Sequence, residues 1–214
     1  MGWAPVPVID RAQGGHMALR RRDDSAIVFQ LEVILKGTNP PIWRRFEVPE
    51  TMTLAQLHAV LQTVMGWTDS HLHRFVINGK EYGRPDYEER WADDDPLLDE
   101  RRVRLTKLLQ IAPTAFLYEY DYGDSWLHLI VMERYWPASP GGHVPRCTEG
   151  ERACPPEDVG GIDGYEDLLA VLADPAHEEH EGMRMWVGED FEPERFDIAV
   201  VNRALMEFSA RKKL

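Results

Sequence analysis

The sequence predicts an α+β fold: an antiparallel or mixed sheet with helices packed against it from the C-terminal end. Three observations carry this. Apolar residues share one parity through 27–35 and 42–48, and a strong hairpin spans 115–132. Segment 54–65 instead repeats its apolar residues at steps of three and four. Helical spacing then returns only late, at 165–173 and 197–208, so strands dominate the first two thirds of the chain.

In chain order, residues 1–26 hold Pro5, Pro7, Gly14, Gly15 and the run Arg20–Asp24 without periodicity, and are expected to be a flexible leader. Residues 27–214 are expected to form a single domain. Phe29, Leu31, Val33 and Leu35 share one parity, as a half-buried strand requires. Gly37–Pro41 breaks the run, and Ile42, Arg44, Phe46 and Val48 share the parity of a second strand, giving a hairpin. Thr51 or Thr53 caps the helix that follows, and Gly66 ends it. The helix stripe is Leu54, Leu57, His58, Leu61, Val64 and Met65.

Segments 72–77 and 80–82 flank Asn78-Gly79, the favoured pair for a tight hairpin turn. Strand, strand, helix, strand, strand is the opening of a β-grasp-like ββαββ sheet. Asp86–Glu100 is an acidic loop centred on Asp93-Asp94-Asp95. The strongest hairpin comes next: 115–121, a tip at Tyr122-Gly123-Asp124, and 125–132. Its second arm is apolar at both parities, so it is expected to be central and covered on both faces. Residues 136–164 turn to Pro, Gly and Cys, before helical patterns at 165–173, 176–185 and 197–208, the last capped by Asp197.

Composition excludes several functions. There are 24 Lys and Arg against 37 Asp and Glu, a net charge of −13. Residues 1–85 hold 10 basic and 8 acidic side chains, whereas 86–214 hold 14 and 29. Such acidity repels a phosphate backbone unless a metal or a local basic patch intervenes. No apolar run reaches the roughly 20 residues of a membrane helix, and no secretory signal is visible, so the expected location is cytoplasmic. No phosphate-binding glycine loop, nucleophile elbow or His-Glu-x-x-His sequence occurs.

Three groups could carry chemistry. At the hairpin tip Asp121 and Asp124 flank Gly123, and His128 shares the parity of Trp126. Two carboxylates and an imidazole suit a divalent metal or acid/base work, with Glu157 or Asp158 as a further ligand or base; the same residue types also serve as plain turn formers. His71 and His73, read as strand residues, would point to one face about 7 Å apart, close enough to share a metal. Cys147 and Cys154, with His177 and His180 on one helix face, could hold zinc, although Cys-x6-Cys is longer than ordinary zinc spacing. Any cofactor is therefore expected to be a divalent metal, zinc or magnesium.

Several of these segments resemble the plasmid pRiA4b ORF-3-like family: Pro41–Arg45, Thr53–His58, Gly66-Trp67 with His71–Phe75, Tyr120–His128, and Cys154–Tyr165. Asp174–His177 and Phe191–Asp197 continue the likeness, which covers approximately 27–208. Tyr122 departs from the family, which usually has Phe there, and either ring fills the same place. The resemblance implies a compact α+β domain, an association with plasmids and insertion elements, and in some members a resolvase-type label. It carries over no catalytic residue, only a candidate site at His71, His73, Asp121, Asp124, Trp126, His128, Cys147, Cys154, Glu157 and Asp158.

The leading expectation is a cytoplasmic, non-enzymatic binding or interaction module for a protein or small-molecule partner. The alternatives are a metal-dependent hydrolase or nuclease using Asp121, Asp124 and His128, and a nucleic-acid-binding accessory protein using Arg20–Arg22, Arg44 and Arg45.

Overall fold

The computed structural model describes residues 26–86, 96–109, 114–139, 142 and 144–212. The expected leader, apart from its last residue, and the Asp93–Asp95 cluster lie outside the described residues.

An eight-stranded mixed sheet forms the body. The first hairpin pairs β1 (Ile27–Leu35) with β2 (Ile42–Pro49), and α1 (Leu54–Met65) follows. Strands β3 (His73–Ile77) and β4 (Lys80–Gly83) then turn at Asn78 and Gly79, both at positive φ as the tight turn demands. Two-residue β5 (Leu98–Asp99) runs parallel to β4, and a short α2 (Leu105–Leu108) precedes the long hairpin of β6 (Thr114–Tyr120) and β7 (Trp126–Pro137). Strand β8 (Arg146–Glu151) closes the far edge, and α3 (Gly161–Ala173), α4 (His180–Val187) and α5 (Ile198–Lys212) end the described chain.

The expected ββαββ opening is present, but its two hairpins do not touch. The order is β5-β4-β3-β6-β7-β1-β2-β8, so the β6–β7 hairpin lies between β3 and β1. One parity of every long strand faces a single core: Phe29, Leu31 and Val33 from β1, Phe46 and Val48 from β2, Phe116 and Tyr118 from β6, Ile130 and Met132 from β7. The apolar stripe of α1 covers this face, and Leu205 of α5 reaches the same core. Strand β7 is central, as its sequence predicts. It is not sealed on both faces, however: Leu127, Leu129 and Val131 are only half-buried, because every helix stripe in the core meets the other parity.

The ends of α1 follow the chemistry of its caps. Thr53 Oγ1 accepts the Gln56 N–H while the Gln56 side chain accepts the Thr53 N–H, and Gly66 closes the helix at φ 100°. Thr53→Ala removes the side-chain acceptor of that box and leaves the N–H of residue 53 donating to Gln56. It is expected to lower stability by about 1 kcal/mol, read as a shift in urea midpoint at constant slope.

Two elements depart from expectation. Segment 146–151 has a polar sequence and half-exposed side chains, yet it pairs with β2 as an edge strand. Helix α3 begins at Gly161, four residues before its apolar stripe starts. Among the described residues, no helix is long and apolar enough to cross a membrane.

Candidate functional site

The β6–β7 tip meets two other segments, the approach to β3 and the loop before α3. Asp121 lies beyond β6 with φ 58°, its amide donates to the Leu72 carbonyl at 2.9 Å, and its Oδ1 accepts the Gly123 N–H at 2.9 Å. Asp124 Oδ2 accepts the Gly160 N–H at 3.1 Å, holding a carboxylate at the N-terminal end of α3. The next residue must be glycine: a Cβ on Gly161 would lie 2.6 Å from the Asp124 carbonyl oxygen, and its φ is +71°. The loop before α3 therefore lies directly on the hairpin tip.

That contact brings Asp158 to His71. His71 Nε2 stands 3.3 Å from Asp158 Oδ1 and 3.6 Å from Asp121 Oδ2, and the three ligand atoms all lie within 4.8 Å of one another. Glu157 turns the other way, accepting from the Tyr120 and Thr68 hydroxyls. Segments 66–73, 120–128 and 153–166, which build this end of the molecule, contain seven carboxylates and no Lys or Arg. Arg74, whose guanidinium lies 5.5 Å from the Tyr122 ring, offsets part of this acidity, and the remaining excess of carboxylates favours cations.

The structure separates other residues that sequence spacing would join. His71 and His73 do not share a face. Strand β3 begins only at His73, whose side chain enters the core, where its Nε2 lies 2.8 Å from the buried Glu100 carboxylate and its ring stacks on His58 at 3.4 Å. His128 is fully buried, beside Trp67 and Tyr118, and is not grouped with Asp121 or Asp124. Burial lowers its pKa to about 4, so it is neutral. Trp126 is likewise fully buried, its ring 5.9 Å from that of Trp67.

The four-residue set at Cys147, Cys154, His177 and His180 is not brought together. Among the described residues the clusters of converging metal-ligand atoms do not include any of the four. Cys147 sits in β8 with its Sγ 3.4 Å from the Arg45 carbonyl and 3.3 Å from that of Glu149, and burial pushes its thiol up to about 11. His177 precedes α4 rather than sharing a helix face with His180, and accepts the Glu179 N–H, while His180 Nδ1 lies 2.9 Å from the Val171 carbonyl.

The two arginines offered for nucleic acid are also committed elsewhere. Arg44 faces the core, 1% exposed, because it shares the parity of Ile42 and Phe46. Arg45 is on the outer face, ion-paired with Glu32 at 2.9 Å, Glu133 at 2.7 Å and Glu149. Arg20–Arg22 lie outside the described residues.

A buried polar network escapes spacing arguments altogether. His58 Nε2 lies 2.7 Å from Asp69 Oδ1 and its Nδ1 2.8 Å from the Tyr118 hydroxyl, which also accepts from Gln62 at 3.0 Å. The available signal was His58 itself, an imidazole on the apolar stripe of α1.

The sequence model described as plasmid pRiA4b ORF-3-like protein matches residues 27–200, which is most of the chain. The chain belongs to the plasmid pRiA4b ORF-3-like family. The family's range spans every strand among the described residues and the three segments of the acidic tip. Among similar proteins, an uncharacterized protein, y4hQ, of Sinorhizobium fredii is 41% identical over 188 residues, covering 87% of this chain and 94% of its own. A crystal structure of a protein of unknown function, MM3350 of Methanosarcina mazei, matches with a TM-score of 0.73 at 40% identity, over 82% of this chain and 97% of that one. This pRiA4b ORF-3-like protein thus shares its fold and much of its sequence with proteins of uncharacterised function.

Proposed function

We propose that this protein is a cytoplasmic binding module whose acidic tip takes a cationic group of its partner. The observation that carries the reading is the convergence of His71, Asp121 and Asp158 at an end of the molecule where three segments supply seven carboxylates and no Lys or Arg. A surface of this kind attracts cations over several ångströms. The binding reading is favoured over the hydrolase because His128, the base that a hydrolase would use with Asp121 and Asp124, is sealed in the core. Asp124 and Glu157 are occupied in holding the tip to α3 and to Tyr120. An association with mobile elements belongs to the same proposal, and its support is the plasmid origin in the family's description.

A decalysine peptide tests the site. In hydrogen exchange at low ionic strength, it is expected to protect amides within 66–73, 120–128 and 155–161. Asp158→Lys, at a side chain 73% exposed, is expected to weaken binding at least fivefold without altering the fold. Protection confined to the acidic stretch around α4, or unchanged affinity in Asp158→Lys, would overturn the reading.

A further inference from the structure

The imidazole–carboxylate contacts of this protein fall into two kinds. His58–Asp69 and His73–Glu100 close to 2.7 and 2.8 Å, ordinary charge-assisted hydrogen bonds. His71 behaves otherwise. Its Nε2 is closed to solvent and makes no hydrogen bond, although carboxylate oxygens lie 3.3 and 3.6 Å away. A buried nitrogen left without a partner beside two acceptors needs an explanation.

We infer that His71 Nε2, Asp121 Oδ2 and Asp158 Oδ1 are three ligands of a zinc ion. Ligands held at 2.0–2.2 Å around tetrahedral zinc are about 3.4 Å from one another, the separation at which Nε2 stands from each oxygen. Nε2 thus stands within ion-pair distance of both oxygens and is hydrogen-bonded to neither. One imidazole with two carboxylates suits zinc better than magnesium, which takes oxygen donors and keeps several waters.

The supporting contacts agree. Asp121 is 6% exposed, and the Gly123 N–H occupies its Oδ1, leaving Oδ2 directed at the cluster. Asp158 arrives by a different route, carried on the loop that Asp124 and Gly161 press against the tip. Asp158 is 73% exposed, so water or a donor from the partner would complete the coordination from its side. The inference rests on the tip being a cation-attracting site, and assigns zinc to its three-residue centre, so that the partner's cationic group meets the carboxylates around it.

Calorimetric titration of zinc into the chelator-treated full-length protein is the test. One equivalent is expected to bind, and His71→Gln and Asp158→Asn are each expected to weaken it at least tenfold. Asp158 is exposed, so the asparagine variant should keep the wild-type circular dichroism and urea midpoint, separating loss of a ligand from loss of fold. Cobalt in place of zinc is expected to give visible ligand-field bands without thiolate charge transfer. A thiolate band would place the ion on Cys147 or Cys154 and overturn the assignment. So would wild-type affinity in both variants. Absence of zinc binding with the decalysine footprint intact would overturn the zinc site alone, whereas loss of both would overturn the tip as a cation site.

Discussion

Arg44→Ala is expected to cost about 3–5 kcal/mol of stability, the combined scale of a large-to-small core cavity and several lost buried hydrogen bonds. The guanidinium is 1% exposed and no carboxylate neutralises it among its hydrogen bonds. Its donors go instead to backbone carbonyls: Nε to Val64 at 2.9 Å, Nη1 to Trp43 at 2.7 Å and Glu151 at 2.6 Å, and Nη2 to Arg152 at 2.7 Å. The Phe196 ring lies 4.0 Å from its Cζ and supplies its π face. One side chain therefore joins the end of α1, β2, the end of β8 and the segment before α5. Alanine would remove the Arg44 donor from four carbonyls and open a cavity besides. Lysine keeps the charge but not the planar fork, so Arg44→Lys should recover less than half of the loss. Urea unfolding followed by circular dichroism measures both variants. A loss below 1 kcal/mol in Arg44→Ala would mean that the carbonyls find other donors.

Acid is expected to destabilise the protein through His128. Burial holds its folded pKa down at about 4, while the unfolded imidazole titrates near the ordinary value of 6.5. Between those values the unfolded chain binds the extra proton, so stability rises with pH across the interval and is lost as pH falls through it. The full difference is roughly 3 kcal/mol, complete below about pH 4. His58, whose pKa burial also lowers, pulls in the same direction. His128→Gln removes one titrating group. Relative to wild type, it should lose roughly 2–3 kcal/mol less stability between pH 7 and pH 4. Parallel stability curves for the two proteins would count against this account.

Much of the fold is legible in the sequence because its signals are local. Thr53 and Gly66 bound α1, Asn78-Gly79 sets one hairpin and the tip at Tyr122-Gly123-Asp124 between two apolar arms another. Strand β8 is less legible, since an edge strand with one half-exposed face needs no apolar alternation, and Arg146–Glu151 has little. The pairing of His71 with His73 fails because parity holds only within a strand, and His71 precedes β3. Asp158 reaches His71 by tertiary contact alone, from 87 residues away in the chain. The local spacing shows which residue types could bind a cation. Only the pressing of the α3 loop onto the hairpin tip shows which of them meet.

The position of the β6–β7 hairpin between β3 and β1 also fixes an order of assembly. The first 86 residues contain both halves of the ββαββ unit but not the strands that join them. On the ribosome, β1 and β3 must wait with one edge each unpaired until residues 114–137 emerge, and only then can the sheet close beneath α1. Bringing Ile27 beside Pro137 is a long loop closure, which slows folding more than it costs in stability. A chain stopping at Leu109 would hold most of the helix-facing apolar residues and the two separate hairpins, but none of the β3–β6, β6–β7 and β7–β1 pairs that join them. The central hairpin is thus the keystone of the sheet, holding both sides, and only the edge strand β8 is added after it.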